Sequence, residues 1–188
     1  MRRRDAMSAI SVLLSRSLIS APLFLNGCRP EESTTLVYFT KRELELLDQI
    51  AETILPTTPG SPGAKAAGVG AFIDRYVADC LSEEDQQVVQ HGLTTFEETC
   101  KEQFGTPFLE LKADEQHDYL VKLDIEAEMH QQMTANGTPP YFTLLKGMTL
   151  LGYFTSEAGA TQALRYIPVP GKYEGSVPYQ DGEKAWAI

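Results

Sequence analysis

Basic residues are scarce in this chain: 16 Lys and Arg stand against 26 Asp and Glu, a formal net charge of −10. A protein that tracks nucleic-acid phosphates needs a basic face, so the balance argues against nucleic acid as a partner. Histidine is rarer still. His91, His117 and His130 are the complete set, none is followed by a suitable metal-binding partner at the third or fourth residue onward, and HExxH is missing. Cysteine is limited to Cys28, Cys80 and Cys100, with no CxxC or CxxCH, so haem attachment and a zinc ribbon have no support. Beyond residues 1–28 no run is long and apolar enough to cross a bilayer. Gly68 and Gly70 do not make a GxGxxG, so no flavin or nicotinamide fingerprint is present. The stretch Gly152 to Glu157 has no GxSxG, the turn that would expose a nucleophilic serine. The carboxylates of Asp114, Glu115, Asp118, Asp124, Glu126 and Glu128 spread around one helical stretch, the pattern of a solvated face rather than of paired acid and base. No catalytic, cofactor-binding or metal-binding residue is therefore assigned.

The N-terminus is an address. Arg2, Arg3 and Arg4 precede a moderately apolar run from Ala9 to Leu25, the layout of an export signal. Arg3 and Arg4, followed by Asp5, Ala6 and Met7, resemble the twin-arginine pattern. The run ends Leu25-Asn26-Gly27-Cys28, similar to a bacterial lipoprotein signal in which a small residue precedes the cysteine that takes the lipid. The alternative is an ordinary cleaved signal with an incidental cysteine. Residues 1–27 are thus read as an export signal, 28–39 as a tether, and 40–188 as one folded domain, placed in the periplasm and held at the membrane by a lipid or a partner. In that oxidising compartment Cys80 and Cys100, in neighbouring helical segments, could pair, or could be two small buried apolar side chains.

The rest of the chain reads as all-α: a single helical bundle with an extended C-terminal arm rich in Pro, Gly and aromatics. Thr40 with Glu43 makes a capping box, and Leu44, Leu47, Ile50, Ala51 and Ile54 recur at helical spacing as far as Pro56. Pro56 to Gly63 is a fixed, turn-rich loop. Val69, Phe72, Ile73, Tyr76 and Val77 form the next stripe. Ser82 with Glu83, Glu84 and Asp85 starts a helix that carries Val89, Leu93, Phe96, Cys100 and Phe104 to Gly105. Another helix spans about Asp114 to Ala135, with Tyr119, Leu120, Leu123 and Met129 as apolar contacts, and Tyr141 to Tyr153 is the central buried helix. From Tyr166 onward Pro168, Pro170, Gly171, Gly175, Pro178 and Gly182 forbid regular helix, yet Tyr166, Tyr173, Tyr179 and Trp186 are kept. That arm is expected to lie on a surface, its own or a partner's. Either it wraps the subunit's own helices, or it forms the partner interface through Tyr166, Pro168, Pro170, Gly171, Tyr173, Gly175, Tyr179 and Trp186. The reading favoured is a mixture, with Tyr166 packed inward and later aromatics facing the partner.

Four stretches together resemble the gluconate 2-dehydrogenase subunit 3 family. The first is Ile50 to Pro56 leading into Thr58-Pro59-Gly60-Ser61-Pro62-Gly63-Ala64. The second is Ala67-Gly68-Val69 followed by Phe72-Ile73-Asp74. The third is Leu151 to Gly159, and the fourth runs from Leu164-Arg165-Tyr166 to Ala185-Trp186. The resemblance covers roughly residues 40–188. It implies a small subunit, not an enzyme on its own, that accompanies a large FAD-containing dehydrogenase subunit of the glucose–methanol–choline type, often with a c-type cytochrome. It further implies that the small subunit carries the export signal for both chains and escorts the folded, FAD-loaded partner through the twin-arginine route. The rival reading is a stand-alone periplasmic helical lipoprotein that binds a small ligand or an envelope component, and would show a pocket of its own. A lipoprotein signal predicts a mature chain that begins at acylated Cys28. Mass spectrometry of the purified protein checks this, and any other first residue refutes it.

Overall fold

The structure is a computed structural model, and it describes residues 36–133, 138–169, 171–172, 175–178 and 180–187. The chain divides after Thr35, and the unit Leu36–Ile188 is the one with described residues. Arg3, Arg4, Cys28 and the signal and tether assigned to them lie outside the described residues.

Five α-helices follow one another in the described chain: α1 (Lys41–Ile54), α2 (Val69–Cys80), α3 (Glu83–Phe104), α4 (Ala113–Met133) and α5 (Tyr141–Thr155). A short 3₁₀ turn, Phe108–Glu110, precedes α4, and a π-type turn, Gly159–Ala163, follows α5. The all-α expectation holds. Isolated bridges, Thr58 with Ser61 and Arg165 with Trp186, are the extended pairings among the described residues.

Local chemistry sets the helix ends. The Thr40 hydroxyl accepts from the Glu43 N–H at 3.3 Å while the Glu43 carboxylate accepts from the Thr40 N–H at 2.8 Å, closing the capping box on α1. Ser82 caps α3 by accepting from the Asp85 N–H at 3.2 Å, with three acids in the first turn to meet the positive helix end. The same helix stops at Gly105, whose φ of 76° is left-handed and open to glycine at little cost. Gln86 of α3 reaches back and donates to the Val77 and Leu81 carbonyls at 3.0 and 3.2 Å, satisfying acceptors at the end of α2.

The core lies around α5, which packs against the other four helices. Phe142, Leu145, Met148 and Tyr153 are buried there, beside Leu47 and Ile50 of α1 and Ile73 and Val77 of α2. Leu151 and Phe154 stay partly exposed, so α5 is central without being enclosed on every side. A second knot of the core is aromatic. Phe96 sits 4.9 Å from Phe108 and 5.1 Å from Tyr119, and the Tyr119 hydroxyl donates to the Phe96 carbonyl at 3.0 Å. Buried Gln116 ties three elements together. It donates to the Phe108 carbonyl at 2.8 Å and accepts from Gln49 of α1 at 2.9 Å.

Two expectations fail here. Met129 is half exposed rather than a core contact, because the inward face of α4 is set by Tyr119, Leu120, Leu123 and Ala127. Cys80 and Cys100 are both free. Cys80 precedes α3 and Cys100 stands 17 residues into it, which at about 1.5 Å per residue is roughly 25 Å of helix, against a disulfide limit of about 7 Å between Cα atoms. Cys80 is exposed, whereas burial, with the Glu97 carboxylate nearby, pushes the Cys100 thiol up to about 11.

Asp74 fixes the approach to α1. Its side chain is buried in α2, where its carboxylate accepts the N–H groups of Val37, Tyr38 and Phe39 at 2.8, 3.0 and 2.7 Å. Burial alone would raise its pKa. The three backbone donors, helped by the Arg75 charge, outweigh burial and hold it below the ordinary value. A carboxyl depressed in the folded state adds stability that is complete above the unfolded carboxylate range and is lost as pH falls through the folded pKa. Asp74→Asn is therefore expected to cost about 2–3 kcal/mol at neutral pH, since one donor then faces an amide N–H₂. Urea melts from pH 7 down to strong acid should show the gap from wild type closing; a constant gap refutes the charge-based account.

Candidate functional site

A cluster of bonded polar side chains gathers on the loop between α1 and α2. Glu52, in the last turn of α1, receives the Thr57 N–H at 3.0 Å and the Thr57 hydroxyl at 2.8 Å on one oxygen, and the Lys65 N–H at 2.9 Å on the other. The Thr57 oxygen accepts from the Gly63 N–H at 3.0 Å. Thr58 and Ser61 exchange backbone bonds of 2.9 and 3.2 Å across the Pro59-Gly60 tip, and Ala64 N–H returns to the Leu55 carbonyl at 2.9 Å. Gly63 is required by this arrangement. A Cβ there would stand 2.3 Å from both Glu52 carboxylate oxygens.

Helix α5 holds the other side of the loop. The Tyr153 hydroxyl donates to the Pro62 carbonyl at 2.6 Å, which leaves the Ser61 hydroxyl to donate to the Tyr153 oxygen in a short contact. Immediately after α5, Ser156 donates to the Tyr153 carbonyl at 2.6 Å and accepts from the Gly159 N–H at 2.9 Å, shaping the π-type turn. Helix α2 is drawn in by two glycines. Gly70 donates to Asp48 of α1 at 3.1 Å, and a Cβ on it would lie 2.3 Å from that carboxylate oxygen. Burial raises the Asp48 pKa, although the Gly70 N–H and the Lys65 charge work against the shift. Gly152 of α5 lets the Phe72 ring approach to where its own Cβ would be, 2.5 Å away.

The C-terminal arm closes on the same end of the bundle. Arg165 N–H donates to the Ala185 carbonyl at 2.8 Å, and Ala187 N–H donates to the Arg165 carbonyl at 2.9 Å. The Arg165 guanidinium lies 3.8 Å over the Trp186 ring and 3.5 Å from the Glu183 carboxylate. Lys184 donates to the Gly60 carbonyl at the loop tip, at 3.2 Å, and to the Gln162 carbonyl. The arm thus leaves the bundle at Arg165 and returns to it at Trp186.

The expected interface residues fall as follows. Tyr166 is 48% exposed, so it is not packed inward; the backbone of its neighbour Arg165 takes the anchoring role instead. Trp186 is equally exposed although its ring carries the Arg165 charge. Pro168, Gly171 and Gly175 are exposed, with Gly171 at a left-handed φ of 74°. Pro170, Tyr173 and Tyr179 lie outside the described residues. His91, His117 and His130 are exposed on separate parts of α3 and α4. Among the described residues no group of three His, Cys, Asp or Glu is placed to hold a metal, and no helix is long and apolar enough to cross a membrane. Elsewhere a cleft of about 270 Å³ opens between α1 and α3, floored by Leu46 and Leu93 and rimmed by Arg42, Glu97 and Lys101.

Sequence reasoning missed Glu52, Asp48 and Tyr153 as organisers. A signal for the first two existed: acids on the inner half of a helix, followed within a turn or two by glycines and a loop whose amides need acceptors. What the geometry defines is a small helical domain with one elaborated end, where four separate stretches of chain are locked together by carboxylate, hydroxyl and backbone contacts. The chain belongs to the gluconate 2-dehydrogenase subunit 3 family, whose model matches residues 41–171, well over half its length. The match covers three of the four stretches and the start of the fourth. No curated protein sequence and no solved structure matches it. A family of dehydrogenase subunits makes this chain an accessory component that works with a larger dehydrogenase subunit.

The Glu52–Gly63 fit makes a sharp expectation. Gly63→Ala should push the carboxylate off the loop amides and cost about 2 kcal/mol, whereas in a Glu52→Ala background the same change should cost little. A double-mutant cycle by chemical denaturation measures the coupling, and additive losses would refute it.

Proposed function

We propose that this chain is the non-catalytic small subunit of a periplasmic, FAD-dependent dehydrogenase of the glucose–methanol–choline type that oxidises a sugar or polyol. In this reading it assembles with the flavin subunit, stabilises it, and escorts it across the membrane on the signal that carries Arg3 and Arg4. FAD belongs to the partner. A c-type cytochrome completes the electron path, and lipidated Cys28 tethers the complex.

The observation that supports this best is where the chain invests its polar side chains. The side chains of Glu52, Asp48, Asp74, Tyr153 and Lys184 are bonded to backbone groups and fix loop shape. A rigid, irregular surface of that kind suits recognition, since order formed before binding lowers the entropy lost on association. Exposed Tyr166, Ile167 and Trp186 beside it supply the large apolar contacts that interfaces concentrate. A subunit from a dehydrogenase family with such a surface is read as a binding component of the complex.

Two results are expected. Arg3→Lys with Arg4→Lys should leave both this chain and its flavin partner in the cytoplasm, measured by fractionation and dehydrogenase activity; normal export of the partner sinks the escort role. Ending the chain after Arg165 should leave a helical protein that no longer retains the flavin subunit on co-purification. Undiminished retention would move the interface away from the arm.

A further inference from the structure

Helix α4 has a second apolar face. Its inward face, built on Tyr119, Leu120, Leu123 and Ala127, is consumed by the core. On the outside, Val121, Ile125 and Met129 follow one another at intervals of four and are 43%, 52% and 50% exposed, with Met133 continuing the row at 87%. That spacing stacks side chains along one side of a helix, so the four make a continuous ridge of about 18 Å. A surface helix needs one apolar stripe to fold, and the second is left without a folding role.

The edges of the ridge are acidic. A shallow groove along it is lined by Asp118, Val121, Lys122, Ile125, Glu126 and Met129. Lys122 is already engaged, donating to Gln103 at 2.9 Å and lying 3.9 Å from Glu126. The helix as a whole carries six carboxylates and this one lysine, and Asp124 is taken up by Lys146 of α5 at 2.6 Å, so the outer charge rests on the others.

We propose that the outer face of α4 is a docking site for an amphipathic helix of a partner protein whose apolar ridge is flanked by Lys and Arg. Charge selects this occupant. A second copy of α4 would set carboxylates against carboxylates, and an anionic lipid surface would be repelled by the same rim. The two methionines favour a helix as well, because their unbranched, polarisable side chains adapt to a ridge of varied shape. The face shares no residue with the loop cluster between α1, α2 and α5. The proposal therefore stands apart from the assignment of that cluster to the dehydrogenase partner.

The test uses the purified mature chain with isotope-labelled methionine methyls, Met129 and Met133 reporting on the ridge and buried Met148 on the core. The probes are a helical Leu/Lys peptide of about 14 residues, enough to span the ridge, the same composition scrambled so that no ridge forms, a Leu/Glu counterpart, and vesicles of phosphatidylcholine with phosphatidylglycerol. The Leu/Lys peptide should shift Met129 and Met133 and leave Met148 in place, binding at least about tenfold more tightly than the scrambled or acidic peptides. Ile125→Asp with Met129→Asp should abolish the response, and Glu126→Lys with Glu128→Lys, which spares the ridge, should weaken it. Equal affinity for the scrambled peptide would reduce the effect to bulk charge and overturn the proposal. So would binding to the vesicles in place of the peptide, concentration-dependent shifts of the free protein that signal a second copy, or no response at all.

Discussion

One carboxylate gathers the most elaborate part of this protein. Glu52 sits at the end of α1 and receives three donors from the loop that follows, while Gly63 leaves the space it occupies. A Pro- and Gly-rich segment without helix or strand has nowhere else to place its backbone N–H groups except water. With Glu52 in place, Thr57 and Lys65 are held, the Thr58–Ser61 turn closes, and Ser61 and Pro62 stand where Tyr153 can reach them. Lys184 from the far end of the chain then finds the Gly60 carbonyl. The order of dependence runs from an acid on a regular helix to a loop, from the loop to a tyrosine on the central helix, and from the loop tip to the arm.

Several buried and half-buried polar groups of this dehydrogenase-family subunit act on backbone. Asp74 and Asp48 follow the same rule as Glu52: each is an acid on a helix that accepts from main-chain N–H groups of another segment. The helices supply rigid posts, and side-chain acceptors fix the irregular chain between them. The product is surface shape, and the apolar side chains of the arm are displayed on it.

Much of the helical frame was legible because its signals are local. Thr40 with Glu43, Ser82 with its three acids, and Gly105 after Phe104 each mark an end by chemistry within one turn, and the structure uses each of them. Long-range features were not legible. Cys80 and Cys100 looked like neighbours because their helices are consecutive, yet most of the length of α3 separates them. Met129 fits a helical stripe, but α4 carries two stripes and periodicity alone does not say which faces inward. The four resemblance stretches were legible one by one. That Glu52, Tyr153 and Lys184 join them depends on loop conformation, which spacing along the sequence does not encode.

Asp74 has a mechanical meaning. Three consecutive N–H groups, those of Val37, Tyr38 and Phe39, are clamped by one buried carboxylate just before α1 begins. Tension that enters the chain from its N-terminal side would meet these bonds before it reached the capping box of Thr40 or the turns of α1. The clamp thus stands between the upstream chain and α1, the helix that carries Glu52 at its other end.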